Sequence, residues 1–208
     1  MLFRSVSQSR YSTRKIGITG QMGSGKSFVT RGIEKLGVPV FIMDIEARKI
    51  QETNQELIQK LQERFPECYK DGVLDRIKTR EVLFADESRT NLMDMDSIIR
   101  PYLIDELNKF YENNKQSDYV LVESALIFEH GVEDLFDEIV LINADPVMRK
   151  RRAIERDGIT EVDYDQRMKD QVPDEIKKSK SSYILDNDFS DNIRKKIHSL
   201  HQFLKQSK

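Results

Sequence analysis

The chain has 208 residues, with 34 Lys+Arg against 36 Asp+Glu and a formal net charge of −2. That length allows one well-buried core with a small inserted subdomain; no apolar run approaches the ~18 residues that cross a bilayer, and the near-neutral charge makes no case for nucleic acid. A single cysteine, Cys68, excludes a disulfide framework or a cysteine zinc site, and three histidines exclude a histidine-rich metal centre.

The charge is unevenly spread. Glu34 is the first acid, so residues 1–33 carry +6 and the remainder −8, which points to an anionic ligand near the N-terminal third. Residues 1–14 are rich in Ser and Arg and lack acids. This composition fits an organelle transit segment, but its shortness favours a disordered extension or an early start codon. Lys15–Thr19 reads as a short buried strand, Gly20–Gly25 as a loop, and Ser27–Leu36 as a helix stopped by Gly37. Val38–Met43 is a second strand. Leu57, Ile58, Leu61 and Phe65 share a face of one helix predicted over 45–65. Asp71-Gly72 marks a turn. Residues 76–112 read as two helical pieces broken at Pro101. Strands follow at 119–122 and 138–143, then a strongly basic helix at 146–157 and a short helix at 163–170. A fifth strand is predicted at 183–185 and an amphipathic helix at 190–206. Strands alternating with helices predict an α/β fold around a parallel sheet. The helical stretch over 57–115, between strands two and three, is the place for a substrate subdomain.

Four of the nine glycines (Gly17, Gly20, Gly23 and Gly25) fall within nine positions. The run Gly20-Gln21-Met22-Gly23-Ser24-Gly25-Lys26-Ser27 fits G-x-x-x-x-G-K-[ST] between a predicted strand and helix, the context a phosphate loop requires. Glycines let backbone N–H groups converge on phosphate oxygens, and the helix start adds its positive dipole end. Lys26 can then reach the β- and γ-phosphates while the Ser27 hydroxyl ligates Mg²⁺. A GTPase would carry N-K-x-D; Asn114-Lys115-Gln116-Ser117 lacks the Asp. The chain leaves little room for a motor's coupling domains, so a small-molecule kinase fits best.

Asp44 follows the second predicted strand, at the carboxyl edge where ligands bind in open α/β sheets. It can serve as a general base for an attacking hydroxyl or simply as the N-cap of the next helix. Glu123 ends the third strand and can hold a magnesium water. Arg149, Arg152 and Arg156 share one helix face, suited either to closing over a triphosphate or to lying in solvent.

The ordered motifs IGITGQMGSGKS (16–27), LGVPVFIMDIEAR (36–48), ESALIFE (123–129), DEIVLINADP (137–146), RRAIERDG (151–158) and QVPDEIK (171–177) resemble the dephospho-coenzyme A kinase family over nearly the whole chain after the extension. The resemblance implies a single P-loop kinase domain over 15–208, with a five-stranded parallel sheet, a helical CoA-binding region near 57–115 and a lid near 146–175. It implies transfer of the γ-phosphoryl of ATP to the 3′-hydroxyl of dephospho-CoA, with Asp44 as base, Arg152 and Arg156 as lid arginines, Phe28 beside the ATP loop, Arg48 following the base segment, and Ser27 with Glu123 at Mg²⁺. The expected partners are dephospho-CoA and ATP, without nucleic acid or membrane, in a cytoplasmic monomer or weak homo-oligomer. Several positions depart from the family pattern. Ile42 and Glu123 stand where members often have Asp, Ala125 where they have Pro, Arg149 where they have Gln and Ser182 where they have Asp. Arg100 precedes Pro101 where a His is usual, and can instead take an anionic phosphate of the substrate. Two other readings remain at this level: a nucleoside or nucleotide kinase of the same fold, and a non-catalytic ATP-binding regulatory module.

Overall fold

The computed structural model describes residues 13–85, 88–169, 171–190 and 192–206. Of the expected extension, residues 1–12 lie outside the described residues, whereas Arg14 already belongs to the first strand. In chain order the elements are β1 (Arg14–Thr19), α1 (Lys26–Glu34), β2 (Val40–Ile42), α2 (Met43–Thr53), α3 (Gln55–Arg64), β3 (Tyr69–Lys70), β4 (Val73–Leu74), α4 (Arg76–Leu83) and α5 (Thr90–Asn113). There follow β5 (Tyr119–Glu123), β6 (Glu138–Asn143), α6 (Pro146–Asp157), α7 (Glu161–Met168), α8 (Asp174–Lys180), β7 (Tyr183–Asp186) and α9 (Ile193–Gln206). Two compact units result, one from the chain through Val40 together with Asn113 onward, the other Phe41–Glu112.

The main sheet has the strand order β2-β5-β1-β6-β7, of which β5, β1, β6 and β7 lie wholly in the first unit. Central β1 runs parallel to both β5 and β6, and β6 parallel to β7. Side chains alternate across the sheet. Ile16 and Ile18 of β1 and Val140 and Ile142 of β6 join Val29 and Ile33 of α1 and the apolar stripe Ile193, Ile197, Leu200 and Leu204 of α9 in one buried cluster. Gly17 faces the other way, where a β-carbon would come 3.0 Å from both Ile127 and Phe136. That second face packs through Ile127, Phe128 and Ile139, with Val172 against them. Each buried Val, Leu, Ile or Phe contributes about 1.5–3 kcal/mol, so these clusters fix the strand ends that carry the site.

The second unit departs from the predicted elements in two places. The helix expected over 45–65 is two, because Asn54 leaves helical geometry (ψ 105°) and its side-chain oxygen accepts the Leu57 N–H at 3.0 Å, starting α3 afresh. The break expected at Pro101 lies instead between Leu83 and Thr90, and α5 runs straight through the proline. An interior proline costs roughly 3 kcal/mol; burial of Met95 before it and of Leu103 and Leu107 after it, about 1.5–3 kcal/mol each, outweighs that. The predicted Asp71-Gly72 turn closes an antiparallel β3–β4 hairpin, with φ of 52° and 79° at its two central residues. In the first unit, α8 had no sequence counterpart. Among the described residues, no helix is long and apolar enough to cross a membrane.

Candidate active site

The predicted phosphate loop lies between β1 and α1. Gly25 caps α1 in the left-handed region (φ 87°) with no side-chain cap and no acid in the first turn. The N–H groups of Gly23, Gly25, Lys26 and Ser27 therefore have no protein acceptor among the described residues, leaving a ring of donors with the helix dipole behind it. Two glycines are required by space as well as by φ. A β-carbon on Gly23 would sit 2.0 Å from the Arg149 carbonyl oxygen, and one on Gly25 would sit 2.3 Å from the Asn187 amide nitrogen.

Lys26 and Ser27 both turn to Glu123 at the end of β5. The Lys26 ammonium lies 2.7 Å and the Ser27 hydroxyl 2.8 Å from the same Glu123 oxygen, Oε1. Glu123 is only 4% exposed, and its Oε2 is buried without a hydrogen-bond partner. Burial acts to raise its pKa, but the Lys26 charge and the hydrogen bonds from Lys26 and Ser27 more than offset this and hold the carboxyl below its ordinary value.

The loop tip is fastened from outside. Gln21 donates from Nε2 to the Val172 carbonyl (3.1 Å), the Met22 N–H donates to Gln171 Oε1 (3.2 Å), and buried Asn187, just past β7, donates to the Ser24 carbonyl (2.8 Å). None of these three outside partners carried a sequence-based role. Asn187 sits at a strand's carboxyl end, the position that could have flagged it.

The three arginines expected on one helix face have different environments. Arg149 is buried and grips Asp174 of α8 bidentately, at 2.9 and 2.6 Å, so it fastens two segments of the expected lid instead of facing a ligand. Arg156 is exposed and paired with neighbouring Asp157. Arg152 makes no ion pair among the described residues; its guanidinium stacks 4.1 Å from the Phe189 ring centroid. Gly23, Gly25, Arg152, Glu155 and Arg156 together line a cavity of about 340 Å³. Phe28 is not part of it: this half-exposed ring lines a separate cavity of about 420 Å³ between α1 and α9.

The Arg149–Asp174 pair carries a pH signature. Burial pushes the Asp174 pKa up, and Arg149 more than reverses it, leaving a depressed value. The pair's stabilisation is therefore complete above the unfolded carboxylate value of about 4 and is lost as pH falls through the lower folded value. Thermal melts from pH 6 to pH 3 should fall less steeply in Asp174→Asn than in the wild type; parallel curves would remove the pair from the acid response.

In the second unit Asp44 is the second residue of α2 and exposed, while Ile42 occupies the cap position without a side-chain bond. The helix-cap explanation for Asp44 is thereby excluded. Arg48 lies one turn along the same helix, also exposed, and neither residue makes an ion pair among the described residues. Arg100, exposed on α5, is paired with Asp96 one turn earlier.

Comparison with known proteins fits this geometry. The family model described as dephospho-CoA kinase matches residues 14–192. A dephospho-CoA kinase of Bacteroides fragilis is 33% identical over 193 residues, covering 92% of this chain and 93% of that one. One from Listeria monocytogenes is 31% identical, covering 85% and 90%. A solved Thermus thermophilus structure superposes with TM-score 0.82 at 27% identity over 94% of this chain and 99% of that one. The Campylobacter jejuni dephospho-CoA kinase shares the fold, with TM-score 0.64 at 20% identity over 94% and 99%. With a phosphate loop after β1, an acid at the end of β5, an arginine lining the loop cavity and a family match spanning nearly the whole described chain, the protein belongs to the dephospho-CoA kinase family.

Proposed function

We propose that the chain transfers the γ-phosphoryl group of ATP to the 3′-hydroxyl of dephospho-CoA, the last step of coenzyme A synthesis. The observation that carries this reading is the set of loop N–H groups that have no protein acceptor among the described residues, beside Lys26, Ser27 and Glu123, in a chain of this family. The triphosphate lies on the loop, and Lys26 leaves Glu123 to contact the β- and γ-phosphates. Arg152, released from Phe189, neutralises charge developing on the transferred group.

Asp44, which makes no ion pair among the described residues, accepts the proton of the 3′-hydroxyl or orients that hydroxyl for attack. Arg48 and Arg100 hold acceptor phosphates. The Phe41–Glu112 unit binds the rest of dephospho-CoA; it contains a cavity of about 310 Å³ with apolar Leu83, Phe84 and Ile99 beside Arg76 and Arg80, suited to an amphipathic phosphate ester.

The residues present fit Mg²⁺. The Ser27 hydroxyl and Glu123, with its orphaned buried oxygen, are hard oxygen donors of the kind this ion takes together with water and phosphate oxygens. When bound, the ion would supply charge neutralisation across the β- and γ-phosphates. The enzyme works in the cytoplasm on small molecules, as a monomer or weak homo-oligomer.

A coupled assay for ADP tests the activity directly. Production should depend on dephospho-CoA and be far slower on a panel of nucleosides and nucleotides. Preference for a nucleoside, or ATP binding without dephospho-CoA-dependent ADP release, would overturn the reading. Arg152→Ala should lower kcat about a hundredfold, the scale of losing one aimed donor to developing negative charge. A change confined to the KM for dephospho-CoA would move Arg152 out of the ATP lid.

A further inference from the structure

Lys177 of α8 is fully buried, a position rarely given to a lysine unless it is paired. Its ammonium lies 2.8 Å from Glu129 Oε1 and 3.3 Å from the carbonyl of Ala125, two residues beyond Glu123. The same Glu129 oxygen accepts the Val172 N–H at 2.8 Å, while Glu129 Oε2 is buried with no partner. Val172 in turn offers its carbonyl to Gln21, and neighbouring Gln171 takes the Met22 N–H. One buried ion pair therefore grips, on one side, the segment leading away from Glu123 and, on the other, a strap at 171–173 that fastens the tip of the phosphate loop.

Stability alone does not account for such a pair. Removing two charges from water consumes most of their mutual attraction, and an apolar pair of similar volume is often as stable or more so. An apolar pair could not accept the Val172 N–H or hold the Ala125 carbonyl. We propose that Glu129 and Lys177 are positioning residues for ATP: they hold the 171–173 strap so that Gln21 and Met22 keep the loop in its phosphate-binding shape. The pair touches no reacting atom, so it sets donor binding and leaves the chemical step nearly intact. This inference rests on the loop being the ATP site.

The test is made on the full chain. Replacing either partner alone leaves an uncompensated buried charge and can prevent folding, so the informative variant is Glu129→Leu/Lys177→Met. It should melt within a few degrees of the wild type, with the KM for ATP raised about tenfold, the scale of a lost positioning hydrogen bond, and kcat within about threefold. A purely structural role predicts a wild-type KM for ATP whatever the change in melting, and that result would overturn the proposal. Gln171→Ala, at a half-buried position, provides a second route that does not depend on the pair folding. It should raise the KM for ATP severalfold without lowering the melting temperature, and this effect should vanish in the double-variant background, where the strap is already loose. An unchanged KM in Gln171→Ala, or an equal effect in both backgrounds, would also overturn the coupling. Lys26→Ala is measured alongside. If turnover survives that change, the reading of the loop as the donor site has failed, and not the strap.

Discussion

Asp44→Asn should lower turnover on dephospho-CoA by about 10²- to 10⁴-fold, the usual contribution of a positioned general base, while ATP affinity stays within about twofold. The substitution preserves the size of the side chain and removes its capacity to take a proton. Its structural cost is small. Asp44 is exposed, is not the cap of α2 and makes no ion pair among the described residues, so the folded state loses only a favourable charge in a helix first turn, worth about 0.3–1 kcal/mol. Steady-state ADP production and an equilibrium nucleotide titration on the same preparation separate the two quantities. Near-wild-type turnover would remove Asp44 from the base role. A fall in turnover matched by an equal loss of ATP binding would place it at the donor.

Much of this site was legible because its signals are local. A phosphate loop needs glycines, a lysine and a hydroxyl at fixed spacing, and strand ends are marked where an apolar run meets an acid, as at Glu123. The basic helix expected over 146–157 has those bounds in the fold, where Asp145 caps its start beside Pro146 and Gly158 closes its end, ordinary helix punctuation. Asn54 carried the same kind of signal but lay inside a convincing apolar period, and the period masked the cap. Pro101 misled in the opposite direction: a strong local breaker was overruled by burial on both sides of it.

What could not be read were roles assigned by long-range contact. Periodicity placed Arg149 beside Arg152, yet only the position of Asp174, 25 residues later, turns Arg149 inward. Lys177 looks like one cation in a charged run at the end of the QVPDEIK motif, and only the fold shows it enclosed against Glu129, 48 residues earlier. Phe28 follows the loop motif directly, but helical geometry carries its ring toward α9 and away from the loop cavity. In each case the sequence supplies the group, while the direction in which it points depends on elements brought together by the sheet.

Lys26→Met should reduce turnover by about 10²- to 10³-fold, the range for losing one preorganised charge contact to the transition state, and should also destabilise the protein in a pH-dependent way. Among the described residues Lys26 is the only cation paired with Glu123, a carboxylate that is 4% exposed. Leaving that carboxylate unpaired costs about 3–5 kcal/mol while it remains charged. Without Lys26, burial would dominate and raise the Glu123 pKa above its ordinary value of about 4.3. The wild-type pair is fully stabilising above that value, whereas the variant escapes part of its penalty only by binding a proton, which becomes harder as pH rises. The gap in melting temperature should therefore be small near pH 4 and widen toward pH 8; a gap independent of pH would show that Lys26 does not hold Glu123 ionised. Adding Glu123→Gln to the variant should restore most of the melting temperature, because an amide can still accept from Ser27 and carries no charge to bury. Turnover should stay low, since nothing then reaches the phosphates from that side. Recovery of turnover with recovery of stability would mean that Lys26 serves the fold alone.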